Sequence, residues 1–159
     1  MAFPIPKVFS FGLEVNRNAE SSKEACRHLF SQAKDSIVIL SGELNEEFYG
    51  DSRICGTITS AAKGGVPVEV AYGPQPSNRI LTALQNLAKK YDNVKLYPLP
   101  ERPERHFMVV DGKTVRIQLE HLPGNKEHRA VIKRNSPELA VTFLNYFADT
   151  VGKRASEPK

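Results

Sequence analysis

Ser36-Ile37-Val38-Ile39-Leu40 is a short, continuous, β-branched run that leads into a polar exit, Ser41-Gly42-Glu43-Leu44-Asn45. A strand with one wet face alternates apolar and polar residues. This run does not alternate, so it reads as a strand covered on both faces. Covering both faces of a sheet takes helices on both sides.

Working outward, the flanks supply those helices. Upstream, residues 7–15 alternate loosely as a strand, and residues 19–34 carry Ala25, Leu29, Phe30 and Ala33 at helical spacing. Asn18 or Ser21 is placed to cap that helix, and Ser21 precedes Glu24 by three as in a capping box. Downstream, 52–63 reads as a helix with Ile54, Ile58 and Ala61 or Ala62 inward, closed by Gly64-Gly65. Val66–Tyr72 is a strand with Pro67 near its start, where a missing donor is tolerated. Ser77 caps a helix to about Tyr91, striped by Ile80, Leu81, Leu84 and Leu87. Val94–Tyr97 is a strand and Pro98–Pro103 a stiff charged connector. A hairpin over 104–121, a turn at Leu122–Asn125, a strand over 127–132 and a helix opening at Ser136-Pro137-Glu138 complete the chain. The order implies an α/β fold, a mixed β-sheet flanked by helices on both faces. We expect one domain over 1–159, with its core at about 7–151 and a frayed tail over 152–159. Ligands of such sheets gather at the carboxyl ends of the strands.

Composition narrows the function classes. Lys plus Arg number 22 against 18 Asp plus Glu, a net charge of +4. That permits an anionic ligand without demanding nucleic acid, and the aromatics sit mainly at core spacings. Nucleic acid is therefore a weakly supported partner. Cys26 and Cys55 match no metal or redox spacing and are expected to be buried and reduced. The N-terminal residues lack the basic and long apolar regions of a signal peptide, and no run is long enough to span a membrane. A cytoplasmic location with no membrane partner is the expectation.

The hairpin concentrates the titratable groups. Pairing Asp111 with Thr114 across Gly112-Lys113 puts Met108, Val110, Val115, Ile117 and Leu119 on one face. Arg105, Arg116, Gln118 and Glu120 then share the other with Phe107 and Val109, so Arg105 and Arg116 are expected to be solvated or salt-bridged. The same register sets Glu104 opposite His121 at the open end, with His106 one step inside. Two imidazoles and a carboxylate at strand ends make a candidate site. Asp111 in Asp-Gly fits turn chemistry at least as well as catalysis. His106, His121 and Glu104 are suitable ligand types for zinc, but a structural site takes four ligands and neither cysteine is near. No metal or cofactor is expected.

The strand Ile37-Val38-Ile39-Leu40-Ser41, the stretch Gly64-Gly65-Val66-Pro67-Val68, the late Val109-Val110-Asp111-Gly112-Lys113 and the closing Glu127–Ile132 strand with Ser136-Pro137-Glu138-Leu139-Ala140 resemble the phospholipase D superfamily, its small single-domain nuclease-like members most of all. The resemblance runs from about residue 10 to 151. It implies a motif of His-x-Lys, four residues, Asp, six residues and Gly-Ser, with an Asn shortly after. The His attacks phosphorus, the Lys and Asn hold phosphate oxygens, and domains pair so that a second His acts as general acid. Anchored on Asp111, the nucleophile position falls on Glu104, the Lys position on His106, Gly-Ser on Gln118-Leu119 and the Asn near His121. Starting at His106 instead puts Met108 in the Lys place and Lys113 in the Asp place. Neither register completes the site.

The resemblance therefore implies a homodimer with a degenerate site: a non-catalytic module that binds phosphate or a similar anion, or a regulatory dimerisation module. His106, His121 and Asn125 would hold the phosphate, Glu127 would support them, and Glu104, His106, His121 and Asp111 occupy the catalytic region. A phosphodiesterase or nuclease using a rearranged His106/His121 pair, and a nucleic-acid-binding module, are the alternatives.

Overall fold

The computed structural model describes residues 13–119 and 129–156. In chain order they form β1 (Leu13–Asn16), α1 (Ala19–Ser31), β2 (Ile37–Ser41), α2 (Glu46–Tyr49), α3 (Ser52–Lys63), β3 (Val68–Tyr72), α4 (Asn78–Lys90), β4 (Val94–Pro98), β5 (Phe107–Val110), β6 (Thr114–Leu119), β7 (Arg129–Lys133) and α5 (Pro137–Ser156). The strands make one mixed sheet in the order β1-β7-β6-β5-β2-β3-β4. β2, β3 and β4 run parallel, and the remaining neighbours pair antiparallel.

β2 is buried at every position, as its apolar run requires. Its alternate side chains divide between two cores. Ile37 and Ile39 pack with Cys26 and Phe30 of α1, Ile54 and Ile58 of α3, and Ile80 and Leu84 of α4. Val38 and Leu40 pack with Phe107, Val109 and Val115 of the hairpin against Ala140 and Phe147 of α5. Three helices thus cover one face and α5 the other.

Several local expectations change. Asn18, not Ser21, caps α1, its Oδ1 accepting from the Ser21 N–H at 2.8 Å. The polar exit after β2 leads into a helical turn, α2, entered by Asn45 accepting from the Glu47 N–H at 2.8 Å. Ser77 stands at the cap of α4, but its hydroxyl donates to Glu46 Oε2 at 3.3 Å instead of serving the helix. α5 continues to Ser156, past the tail boundary expected at Gly152. Cys26 is buried as expected, but Cys55 lies on the exposed side of α3.

The main correction is the hairpin register. Val110 pairs with Thr114, Val109 with Val115, Met108 with Arg116 and Phe107 with Ile117. Asp111 and Gly112 both take positive φ, 56° and 63°, and Lys113 donates back to the Val110 carbonyl at 3.2 Å. The turn therefore holds three residues between the strands instead of two, and the pairing slips by one. A one-residue slip moves side chains to the other face. Val115 and Ile117 pack toward α5, while Thr114 and Arg116 join Met108 and Val110 beneath the α1 layer. Arg116 is 5% exposed, not solvated as expected.

Candidate anion-binding site

A cavity of about 460 Å³ opens where β2 ends and β5 begins. The parallel strand β2 delivers its carboxyl end here, where open α/β sheets place their ligands. β2 supplies Ser41, the chain just before β5 supplies His106, and β6 supplies Arg116 and Gln118. The N-terminal half of α1 contributes Ser22 and Lys23, and α2 contributes Phe48 and Tyr49.

Arg116 sets the electrostatics. Its Nη2 donates to Ser22 Oγ, and its guanidinium stacks 5.0 Å from the Phe48 ring centroid. Its buried Nε has no hydrogen-bond partner, and no carboxylate lies within ion-pair distance among the described residues. A buried charge ordinarily has a counter-charge because desolvation penalises it. The neighbouring cation is treated differently. Lys23 lies 3.8 Å from both Glu20 and Asp51. Asp51 is a secure anion, since the hydrogen bond from the Arg53 side chain holds its carboxyl down at about 2. At the mouth, Arg102 pairs with Glu43 at 3.3 Å.

His106 is held by the backbone. Its Nδ1 accepts from the Gly42 N–H at 2.8 Å. A neutral imidazole that accepts at Nδ1 carries its proton on Nε2. In that tautomer Nε2 has no lone pair with which to attack phosphorus. The contact needs glycine: a Cβ on residue 42 would overlap the His106 ring and crowd the Arg102 guanidinium. Gly42→Ala should therefore cost about 1–3 kcal/mol of stability through overpacking and displace His106. Thermal denaturation followed by circular dichroism checks this, and an unchanged midpoint would contradict it.

The other expected site residues divide. Glu104 is exposed and does not line the cavity, so it does not join His106 there. In the observed register His106 stands across from Gln118, whose N–H donates to the His106 carbonyl at 3.0 Å. Asp111 lies at the opposite end of β5, five residues and roughly 16 Å of extended chain from His106. Its Oδ1 accepts from the N–H groups of Lys34, Asp35 and Ser36 at 2.9, 2.7 and 3.1 Å. Partial burial opposes its charge, yet those three donors, with Lys113 nearby, keep its carboxyl below the usual range. It secures the entry to β2 and takes no part in the cavity. His121, Asn125 and Glu127 lie outside the described residues. No cluster of three His, Cys, Asp or Glu side chains suited to a metal occurs among the described residues.

Arg116 is the site residue that the sequence reading placed on the wrong face. The signal was present. On β6, Thr114, Arg116 and Gln118 alternate with Val115, Ile117 and Leu119. With helices on both faces, that polar set must lie under a helix and so implies a polar cavity.

Neither a protein-family model nor a curated protein sequence matches the chain. Solved structures do match. Nuc from Salmonella typhimurium, a phospholipase D family member, is similar with a TM-score of 0.67 at 20% identity, over 87% of this chain and 92% of that one. The chain shares the fold of this phospholipase D family member. NucT from Helicobacter pylori shares it with a TM-score of 0.64 at 14% identity, over 88% and 95% of the two chains. TrmBL2, an archaeal chromatin protein described with a novel mode of DNA binding, reaches 0.70 at 16% identity, over 94% of this chain and 56% of that one. Within this phospholipase D fold, the cavity occupies the strand ends and is lined by Arg116 and His106, with Glu104 outside it. No helix among the described residues is long and apolar enough to cross a membrane.

Proposed function

We propose that this phospholipase D-fold protein binds a phosphate-type anion in the cavity and does not hydrolyse phosphodiesters. The buried guanidinium of Arg116, with Nε unpartnered and no carboxylate within ion-pair distance among the described residues, carries the reading. An anion would supply the missing acceptor and counter-charge together. His106 lines the same cavity, its ring positioned by the Gly42 N–H.

Two observations favour loss of catalysis. The position that the superfamily motif gives to its nucleophile holds Glu104, which is exposed and outside the cavity. The imidazole that does line the cavity is held in the tautomer unsuited to attack. Loss of even one donor to a developing oxyanion costs roughly two to three orders of magnitude in rate, and loss of the nucleophile closes the covalent route. Purified protein should therefore give no turnover of a chromogenic phosphodiester or of plasmid DNA, with or without divalent metal. Turnover that His106→Ala abolishes would overturn the reading in favour of a rearranged phosphodiesterase.

We further propose a homodimer, because the family resemblance implies paired domains and two-fold dimers are the commonest assembly. Light scattering at high micromolar concentration should return twice the 17.7 kDa chain mass. A monomer would refute it.

A further inference from the structure

We infer that the cavity takes a small phosphomonoester whose organic part is neutral and rich in hydroxyl groups, the chemistry of a sugar or polyol phosphate. This rests on the anion reading above and adds the nature of the rest of the ligand. Charge in the cavity is layered. The cations at depth, Lys23 and Arg116, are 9% and 5% exposed. Among the described residues the mouth is balanced: exposed Arg102 and Arg129 stand with exposed Glu43 and Glu47. A nucleic-acid strand needs a cationic track along its backbone. Here a chain of phosphates would meet two carboxylates before reaching Arg116. One terminal phosphate that reaches the depth, followed by an uncharged body, avoids that repulsion.

The mouth also offers the right partners for hydroxyls. The Glu47 carboxylate and the Gln118 amide make no hydrogen bond among the described residues. The Asn45 Oδ1 is occupied by the Glu47 N–H, which leaves its NH₂ to donate. A carboxylate accepts from hydroxyls, while amides both donate and accept. The half-buried Phe48 ring, with Tyr49 edge-on at 5.1 Å, provides apolar surface for the C–H side of a sugar ring. The volume, about 460 Å³, suits a small molecule.

Calorimetric titration of the full chain with glucose 6-phosphate, inorganic phosphate, glucose and a short single-stranded oligothymidylate tests this. Glucose 6-phosphate should bind about tenfold or more tighter than phosphate, the worth of one hydrogen bond to a charged group. Glucose alone should not bind measurably. Glu47→Ala, an exposed substitution, should remove most of that advantage and leave phosphate affinity unchanged or slightly raised. Equal affinity for phosphate and glucose 6-phosphate would overturn the inference and leave the anion reading standing. Failure of every phosphate-bearing probe would overturn both. Tighter binding of the oligothymidylate would replace the inference with nucleic-acid recognition.

Discussion

Arg116→Met should make the ligand-free protein more stable and at the same time abolish its response to phosphate. Arg116 is buried, its Nε lacks a partner, and its compensations are a bond to Ser22 and the Phe48 face. Those contacts are worth about 2–5 kcal/mol together, and burying an ion costs several kcal/mol even after relaxation, a penalty methionine does not carry. Methionine fills similar space, lies flat on an aromatic ring and carries no charge. The expected gain is about 1–4 kcal/mol, with each kcal/mol raising the midpoint by roughly 2–4 °C in a chain of this size. Phosphate at a hundredfold excess over its dissociation constant should stabilise the wild type by about 2.7 kcal/mol and the variant not at all. Because the chain contains no tryptophan, circular dichroism is the suitable probe. A variant that is less stable than wild type, yet still stabilised by phosphate, would show that Arg116 is structural.

Asp111→Ala should be strongly destabilising, by about 2–4 kcal/mol, with no effect on anion binding. One carboxylate oxygen serves three consecutive backbone N–H groups, and the residue sits at φ 56°, where alanine is strained. Lys34 and Asp35 are exposed, so water recovers part of the loss and keeps the cost below three full charge-assisted bonds. Asparagine tolerates the same φ and retains one carbonyl acceptor, so Asp111→Asn should cost about half as much. The pH dependence follows from the lowered carboxyl. Its contribution is present above the ordinary carboxylate range, near pH 4, and is lost as pH falls through the folded-state value. The difference in urea midpoint between wild type and Asp111→Ala should therefore be full at pH 7 and shrink in acid. A difference that stays constant into strong acid would contradict the charge-based account.

The fold was legible because each element carried its own local instruction. The unbroken Ile37–Leu40 run predicted a strand covered on both faces, and all of β2 is buried. The helix over 52–63 ends where Gly64-Gly65 indicate. The site was less legible, and the reason is a single turn. A two-residue loop of Gly112-Lys113 was expected, but Asp111 joins the turn at positive φ and pairing resumes only between Val110 and Thr114. Local preference favoured one register, and tertiary packing on two helix layers selected the next. That slip carried Arg116 from an expected solvent face into the cavity. Asp111 was equally ambiguous: the backbone groups it serves lie more than seventy residues away in sequence, on a loop that turn chemistry cannot foresee. α2 was missed because a single four-residue turn, Glu46–Tyr49, is too short to show a helical period.

The central claim is that an anion completes Arg116. Titration of inorganic phosphate into the wild-type protein and Arg116→Met, followed by calorimetry at fixed moderate salt, tests it most directly. The account predicts saturable binding of one phosphate per chain in the wild type and none in the variant. Equal binding by both proteins, or no saturable binding by the wild type, would contradict it.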